Sequence, residues 1–168
     1  VKTVPAGHAV ITPSFGNDCG MNAAPYISHC IKDGTGYDQA GAILQHIYGA
    51  LNPPATTPGG QIVEFNQRPF APAISSMANT GFVYVPKSCA DGNACRVHVA
   101  IHGCVQSAAA VGDDFYNRTG YNNWADTNGI IVLYPQVNSS YTIPFNPQGC
   151  WDWWGYSGQN YALKSGVQ

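Results

Sequence analysis

The alternation of apolar and polar residues predicts several short strands, and the most informative of them spans 97–102. β-Branched residues dominate this run, and its expected buried face consists of Val97, Val99 and Ile101. A more continuous apolar run at 130–135 is typical of a strand buried on both faces of a parallel sheet. Both runs are therefore predicted to be strands in the interior of the protein.

Two further strands and a helical region complete this part of the chain. Strands at 61–65 and 81–86 are expected to form an antiparallel pair, although the connection at 66–80 is long for a tight hairpin. Helical sequence fills 107–128, and Gly129 suits the end of its last helix. The residues of this region that are expected to point inwards are Phe115, Tyr121, Trp124 and Ala125.

An amphipathic helix is predicted over 39–51. Apolar residues repeat there with the helical period, and Asp38 is placed to cap the first turn. The expected apolar face is Ala40, Ile43, Leu44, Ile47, Tyr48 and Leu51. His46 lies off this face and is expected on the surface. The Pro- and Gly-rich residues 52–60 that follow are interpreted as a linker.

A sharp turn is expected where the strand at 97–102 ends. Gly103 lets the chain break, and Ser107 is placed to cap the helix that follows. Such a turn aims backbone N–H groups at one point, and ligands of open α/β sheets bind at strand ends of this kind. In α/β-hydrolases the equivalent turn supplies part of the oxyanion hole, often through a His-Gly motif. His102 and Gly103 provide that motif here.

Composition narrows the class of protein. At 168 residues the chain can bury the core of one domain. Only 10% of the residues are charged and the net charge is −2, so no nucleic-acid partner is expected. No apolar run is long enough to cross a bilayer, so no membrane partner is expected, and the lack of a signal peptide implies a mature or shortened N-terminus. His98 and His102 would lie about 13 Å apart along a strand, too far to share an ion, and neither a metal nor a cofactor is predicted.

Six cysteines, an even number, are unusual for a cytosolic protein of this size and favour disulfides. None forms a Cys-x-x-Cys pair, so a structural zinc site is not indicated. The expected bridges are Cys19–Cys30, Cys89–Cys95 and Cys104–Cys150. The first two follow from proximity in Gly- and Asn-rich loops, and the third follows by elimination. Sequons at Asn117 and Asn138 are candidate glycosylation sites, and together with the low charge they favour a secreted protein.

Several motifs occur in an order that resembles extracellular poly(3-hydroxybutyrate) depolymerases. They lie at 102–107, 119–128, 133–136 and 149–153. Upstream, the motifs at 25–30 and 47–52 resemble the circularly permuted, single-domain type of this family. The likeness runs from about His8 to Val167, which is nearly the whole chain.

The predicted fold class is α/β, with part of an α/β-hydrolase sheet stapled by disulfides. After the linker, the order strand, strand, strand, helix, strand matches the first part of such a sheet. The piece before the linker, a His-bearing loop followed by a helix, matches the last part of the fold. Since the linker then joins what are usually the two ends, a circularly permuted order is expected.

The family uses a Ser-His-Asp triad and forms an acyl-enzyme on polyester. The resemblance implies that His8 is the catalytic histidine, that the backbone N–H of Cys104 is one oxyanion donor, and that Trp151 belongs to an aromatic wall beside the crevice. Gln106 is expected either to bind substrate or to hold the turn through its side-chain amide. Asp152, which lies among tryptophans, is expected to make a structural hydrogen bond.

The sequence departs from the family pattern because it contains no Gly-x-Ser-x-Gly motif. In the permuted type the nucleophile and the acid precede the histidine, so both are expected before Val1. We therefore expect one incomplete catalytic domain over 1–168, in which 1–51 forms the His loop and helix. Residues 52–60 form the linker, and 61–168 form the first strands, the oxyanion turn and the aromatic loop.

The expected function is that of a secreted serine-type ester hydrolase acting on poly(3-hydroxybutyrate) or a similar polyester. The chain alone is expected to be inactive, and its missing serine and aspartate are attributed either to a second chain or to a shortened polypeptide. Two alternatives stay open. One is a related secreted feruloyl or acetyl-xylan esterase, which shares the His-Gly-Cys turn, and the other is a polymer-binding module without catalysis.

Overall fold

The computed structural model describes residues 4–71, 75–163 and 165–166. The elements before the linker are β1 (Val10–Thr12), β2 (Asn17–Asp18), β3 (Ile27–His29), β4 (Ile31–Lys32), β5 (Thr35–Gly36) and α1 (Gln39–Tyr48). The elements after it are β6 (Gln61–Asn66), β7 (Thr80–Val85), α2 (Lys87–Ala90), β8 (Arg96–Val99), α3 (Ala108–Val111), α4 (Asp114–Arg118), α5 (Tyr121–Asn128) and β9 (Ile130–Tyr134).

The largest sheet contains four strands in the order β6-β7-β9-β8. β6 and β7 pair antiparallel, β7 and β9 pair antiparallel, and β8 and β9 pair parallel. The predicted antiparallel pair at 61–65 and 81–86 is thereby confirmed. Residues 72–74, inside the predicted connection at 66–80, lie outside the described residues.

A second, smaller sheet positions the start of the chain. In it, β1 and β2 flank β3, and both pairings are parallel. Ile11 in β1 and Ile27 in β3 are both buried, and this burial stabilises the pairing of the two strands. The sheet therefore holds the loop that precedes β1 and carries His8.

Short helices cover one face of the four-stranded sheet. The core between them consists of Phe82, Tyr84, Ala100, Phe115, Ala125, Ile130, Val132 and Tyr134. The fully buried Tyr134 hydroxyl donates to the Asn122 side chain over 2.7 Å, which satisfies a polar group inside this core. Of the residues predicted to point inwards, Phe115 and Ala125 are buried, whereas Tyr121 and Trp124 are half-buried.

The predicted buried face of the strand at 97–102 is wrong. The exposed fractions of Val97, Val99 and Ile101 are 59%, 48% and 57%, whereas His98 is only 8% exposed. The strand also ends at Val99. The reason is that β8 turns His98 towards the helices, while no element among the described residues covers the opposite face of the sheet.

The first helix is shorter than the sequence predicts. Its cap is confirmed, since Asp38 Oδ1 accepts the N–H of Gly41 at 2.8 Å. The helix ends at Tyr48 because Gly49 adopts a φ of 81°, so Leu51 lies beyond the helix. Among the predicted apolar face, Ala40 and Leu44 are buried, but Ile47 is 55% exposed. His46 is exposed, as predicted.

The predicted helical region at 107–128 is divided into three helices. Gly112 and Gly120 separate them with φ values of 63° and 96°. Ser107 occupies the N-cap position of α3 but makes no side-chain capping bond. Instead, Gln136 Oε1 accepts the N–H of Ala108 at 2.7 Å, so a distant amide performs the capping that was expected of Ser107. Gly129 ends α5 in the left-handed conformation, as predicted.

Residues 52–60, which are predicted to form a linker, contain neither helix nor strand. Its end is attached to α5 through the Asp126 carboxylate, which accepts the N–H groups of Gly59 and Gly60 at 3.0 and 3.2 Å. The Tyr84 hydroxyl donates to the same carboxylate over 2.5 Å. These bonds fix the chain where it enters β6.

All three predicted disulfides are present. They join Cys19 to Cys30, Cys89 to Cys95, and Cys104 to Cys150. The third bridge ties the turn after β8 to the aromatic loop near the end of the described chain. None of the described helices is long and apolar enough to span a membrane.

Candidate active site

A cleft of about 520 Å³ lies where the loop before β1 meets the turn after β8. It is lined by Gly7, His8, Ala9, Val10, Tyr26, Gln39, Gly103, Cys104, Val105, Gln106 and Gln148. Two residues singled out in the sequence, His8 and Cys104, thus line the same cleft although 95 intervening positions separate them in the chain. The volume lies within the range of small-molecule sites in proteins.

The backbone around His8 is held closely. The His8 N–H donates to Asn22 Oδ1 over 2.5 Å, and the N–H of Gly7 donates to the carbonyl of Cys19 over 2.8 Å. A Cβ at Gly7 would lie 2.5 Å from the carbonyl oxygen of Met21, so this approach requires glycine. The His8 side chain itself is exposed, and its imidazole makes no hydrogen bond within the described chain. Both ring nitrogens are therefore available to partners.

In the turn after β8, the backbone N–H groups on both sides of Cys104 have acceptors. The N–H of Gly103 donates to Gln106 Oε1 at 2.7 Å, and the N–H of Val105 donates to the carbonyl of Gln148 at 2.7 Å. The N–H of Gln106 donates weakly to the carbonyl of Gly103 at 3.3 Å. Within the described residues the N–H of Cys104 has no acceptor. Val105 has a φ of 53°, a left-handed conformation that is uncommon for a β-branched residue and that sets the sharp change of direction.

The buried side chain of His102 bonds to this turn and to the segment after β9. Its ring is buried, with Nδ1 2.7 Å from the carbonyl oxygen of Gly103 and Nε2 accepting the N–H of Val137 at 3.1 Å. This pattern requires a neutral ring protonated at Nδ1. Burial lowers the pKa of His102, and the bond to Gly103 opposes that shift. The sequence indicated His102 only as part of a motif, and its part in supporting the turn was missed.

Gln106 is buried, and its side-chain bonds match the turn-holding alternative. Besides accepting the N–H of Gly103, its Nε2 donates to the carbonyl oxygens of Pro25 and Tyr26 at 3.1 and 2.7 Å. Both hydrogens of the amide are thus committed to protein carbonyls. The side chain lines the cleft but has little left to offer a substrate.

The aromatic loop lies next to the turn through the disulfide at Cys150. The ring of Trp151 is half-buried, 5.6 Å from the ring of His102, and it does not belong to the lining of the cleft. Its indole N–H is buried without a hydrogen-bond partner among the residues described. Trp153 and Trp154 are 71% and 41% exposed and pack edge to face at 5.1 Å. The exposed aromatic surface therefore lies beyond Trp151 in the loop.

Asp152 makes structural hydrogen bonds, as expected. Its carboxylate accepts the N–H groups of Trp154, Gly155, Tyr156 and Ser157, and the Ser157 hydroxyl. Burial alone would raise the pKa of this carboxyl, but the bonds from Ser157 and its neighbours hold it below the ordinary value. Asp152 therefore orders the loop.

The remaining predicted positions lie away from the cleft. Asn117 and Asn138 are both exposed, and Asn117 Nδ2 donates to Asp113 Oδ2 at 2.8 Å. His98 bonds through Nδ1 to the Tyr48 hydroxyl at 3.3 Å and stacks on another aromatic ring. Within 4–71, 75–163 and 165–166, no cluster of three or more His, Cys, Asp or Glu side chains suits a metal ion.

Among the cleft residues that the sequence analysis did not assign to the site are three with polar side chains, Tyr26, Gln39 and Gln148. Gln39 Oε1 accepts the N–H of Ile11 at 2.6 Å and so joins α1 to β1. Tyr26 lies in the motif at 25–30, to which the resemblance assigned no role in the site, and Gln39 and Gln148 belong to no motif. They reach the cleft through tertiary packing, for which the sequence carries no local signal.

Comparison with characterised proteins identifies relatives along nearly the whole chain. The chain is 46% identical over 171 residues to a poly(3-hydroxybutyrate) depolymerase from Delftia acidovorans, covering 99% of this chain and 32% of that protein. It is 45% identical over 181 residues to a polyhydroxybutyrate depolymerase from Talaromyces funiculosus, covering 100% of this chain and 52% of that protein. An acetylxylan esterase A from Emericella nidulans is 36% identical over 57% of this chain, covering 26% of that protein. No family model matches the sequence.

Solved structures show the same relationship. The crystal structure of PHB depolymerase from Penicillium funiculosum matches with a TM-score of 0.87 at 41% identity, covering 97% of this chain and 54% of that chain. A serine-to-alanine variant of PHB depolymerase, complexed with an R3HB trimer, matches with a TM-score of 0.88 at 43% identity over the same shares. The predicted α/β fold class, stapled by disulfides, is thereby confirmed. The chain spans about a third to a half of the length of the depolymerases that it matches.

Proposed function

This chain is related in sequence and fold to the poly(3-hydroxybutyrate) depolymerases and corresponds to about half of such a protein, and we propose that it supplies the general base and one oxyanion donor of a secreted polyester hydrolase. The observation that carries the proposal is the cleft that His8 shares with Cys104. An exposed imidazole with two uncommitted nitrogens and a backbone N–H without an acceptor are the two groups that ester hydrolysis requires around a serine.

The chemistry follows from these two groups. His8 takes the proton of a serine hydroxyl as that oxygen attacks the ester carbonyl, and it then delivers the proton to the departing alcohol. The N–H of Cys104 donates to the negatively charged oxygen of the tetrahedral intermediate, an interaction worth about 3 kcal/mol in related sites. Water then releases the acyl group through the same two residues. An aspartate orients the second nitrogen of the His8 ring.

The serine and the aspartate belong to a part of the enzyme outside this sequence, either in a second polypeptide or in the same one. The sheet supports such a complement. Val63, Val83, Leu133 and Val99 are register partners and form an apolar row across all four strands. Two of them, Val63 and Val99, are 44% and 48% exposed, so this face has the composition of a buried surface but lacks a cover in the described chain.

The domain proposal rests on contacts between the part of the chain before the linker and the part after it. Residues 1–51, 52–60 and 61–168 are proposed to be pieces of one incomplete catalytic domain. Its support is that α1 packs on α5 and that Trp124 Nε1 donates to Asp38 Oδ2 at 2.6 Å, which bonds the piece before the linker to the piece after it.

The proposed substrate is poly(3-hydroxybutyrate) or a similar polyester. The proposal is supported by two relatives that are depolymerases of this polymer and by the R3HB trimer bound in a related structure. The exposed Trp153 and Trp154 give the aromatic loop a surface suited to an apolar polymer. Trp151, which does not line the cleft, is proposed to belong to the same aromatic wall.

Secretion is proposed from the three disulfides, which persist in oxidising compartments. Asn117 and Asn138 are proposed as glycosylation sites because both are exposed and lie in sequons. The two differ in that the Asn117 amide is engaged with Asp113.

A chimera tests the proposed function. This chain replaces the matching part of the Talaromyces funiculosus depolymerase, and hydrolysis of a poly(3-hydroxybutyrate) film is measured. The chimera is expected to release soluble product, and His8→Asn is expected to lower the rate at least about a thousandfold. His46→Asn, at an exposed histidine on the outer side of α1, is the matched control and is expected to change the rate by less than about twofold. A His8→Asn chimera as active as the control would overturn the proposal.

The match to an acetylxylan esterase supports a second candidate function. Acetylated xylan and feruloyl sugars, offered to the same chimera, separate it from the polyester hydrolase, which is expected to prefer the film. A serine-directed phosphonate addresses the polymer-binding alternative, because a hydrolase is labelled and a module that only binds film is not.

A further inference from the structure

Gln106 connects the two pieces of chain that form the cleft. Its side chain is only 3% exposed. Oε1 accepts the N–H of Gly103, while Nε2 donates to the carbonyls of Pro25 and Tyr26. One buried amide therefore bonds the turn after β8 to a segment that lies 80 positions earlier in the chain.

The acceptor at Tyr26 extends this connection to His8. The carbonyl oxygen of Tyr26 also accepts the N–H of Val10 at 2.9 Å, two residues beyond His8. Tyr26 has a φ of 55°, a left-handed conformation that is uncommon for an aromatic residue. A single oxygen thus fixes both the strand that follows His8 and the side chain that holds the turn.

The other end of Gln106 determines which backbone donor of the turn is left for a ligand. By accepting the N–H of Gly103 at 2.7 Å, Oε1 removes that donor from the cleft. Gln148 removes the N–H of Val105 in the same way. The N–H of Cys104 is then the donor that remains between them.

We propose that Gln106 is a positioning residue that sets the separation of the His8 imidazole from the Cys104 N–H and selects this N–H as the oxyanion donor. This inference rests on the proposed function. Gln106 acts through Tyr26 and Gly103 and does not itself touch the reacting ester. Its removal should therefore weaken transition-state stabilisation more than substrate binding, because misplacement of reacting groups lowers the rate of the chemical step.

Two variants of the chimera test this inference. Gln106→Met keeps the length of the side chain but removes every hydrogen bond, and it is expected to lower kcat about 10- to 100-fold with KM changed less than about threefold. Titration with the phosphonate gives the concentration of active sites in each variant, and each rate is divided by that concentration so that unfolded protein does not count. Gln45→Met, at an exposed glutamine of α1, is the matched control and is expected to leave kcat unchanged.

Gln106→Glu separates the two ends of the side chain. The introduced carboxylate can still accept the N–H of Gly103 but cannot donate to Tyr26, and protonation restores one donor. Burial raises the pKa of such a carboxyl. The kcat of this variant relative to the unsubstituted chimera is therefore expected to rise as the pH falls. The other titratable side chains that line the cleft, those of His8 and Tyr26, are the same in both proteins, so the two rates are compared as a ratio at each pH.

Amide hydrogen exchange in this chain provides a measurement that does not depend on catalysis. Gln106→Met is expected to accelerate exchange at both Gly103 and Val10. Exchange that is faster at Gly103 alone, or a titrated kcat within about twofold of the unsubstituted chimera, would overturn the inference. Failure of the proposed function is distinguishable, since it would show without any change at Gln106, either as no hydrolysis by the unsubstituted chimera or as a His8→Asn chimera as active as its control.

Discussion

The backbone N–H of Val137 donates a hydrogen bond of 3.1 Å to Nε2 of His102, the residue that begins the turn after β8. A protonated Nε2 could not accept this bond, so the folded state requires a neutral ring. Burial lowers the pKa of His102 below its ordinary value of 6.5, while the bond to Gly103 opposes the shift. In the unfolded chain the ring binds a proton at the ordinary pKa.

This difference predicts loss of stability in acid. Below the ordinary pKa the unfolded chain binds more protons than the folded one, so the contribution of His102 is full above that pH and falls as the pH falls. The loss is at most about 1.4 kcal/mol per pH unit for this ring. Urea unfolding at about pH 7.5 and about pH 5 measures it. In the His102→Gln variant, the free energy of unfolding is expected to decrease less between these two pH values. Part of the decrease remains because burial also lowers the pKa of His98. An equal loss in the variant would contradict this role.

The Cys104–Cys150 bridge is expected to contribute more stability than the Cys89–Cys95 bridge. Their sequence separations are 46 and 6, and loop-closure entropy gives about 4 and about 2.4 kcal/mol. Urea unfolding of the two double Cys→Ser variants compares them. Film hydrolysis by the chimera should fall only when Cys104–Cys150 is removed, because that bridge alone borders the cleft. A larger stability loss from the short bridge would contradict the expectation.

Gly41 is expected to resist replacement although it lies in a helix. A Cβ there would lie 2.6 Å from the Trp124 ring and from Asp38 Oδ2. Gly41→Ala should therefore lower the free energy of unfolding by about 1–3 kcal/mol, against the gain of about 1 kcal/mol that alanine usually gives in a helix. Gly20→Ala, where no atom lies within 4 Å, is the control and should change stability by less than about 0.5 kcal/mol. A stabilised Gly41→Ala variant would contradict the tight contact.

The Tyr84 hydroxyl is expected to hold the end of the linker. It bonds to Asp126 and accepts the N–H of Gly60 at 3.0 Å. Tyr84→Phe should lower the free energy of unfolding by about 1–2 kcal/mol. It should also make residues 52–60 more susceptible to proteolysis. Tyr141→Phe is the control, because Tyr141 is 76% exposed. Equal cleavage rates in the two variants would show that the hydroxyl has no such role.

Local patterns predicted the elements whose causes are local. The Asp38 cap and the exit at Gly129 each depend on a few neighbouring residues, and β6 and β7 pair as consecutive strands of the chain. The burial of Val97 was predicted wrongly because alternation identifies an apolar face without identifying what covers it. The predicted burial of Ile47 was wrong for the same reason.

The site was predictable only in part. The sequence singled out His8 and Cys104 through a family resemblance, and the structure lines one cleft with both. Tyr26 contributes a backbone carbonyl, whose position no side-chain pattern encodes. The roles of Gln106 and His102 likewise depend on partners that are distant in sequence.

The account depends most on the convergence of the His8 imidazole and the Cys104 N–H on one ester bond. A crystal structure of the chimera with a phosphonate bound to its serine measures this convergence directly. The phosphonyl oxygen is predicted to lie about 3 Å from the amide nitrogen of Cys104, with the His8 ring within hydrogen-bonding distance of the serine oxygen. A phosphonyl oxygen held by other donors, with the Cys104 nitrogen more than about 4 Å away, would contradict the account.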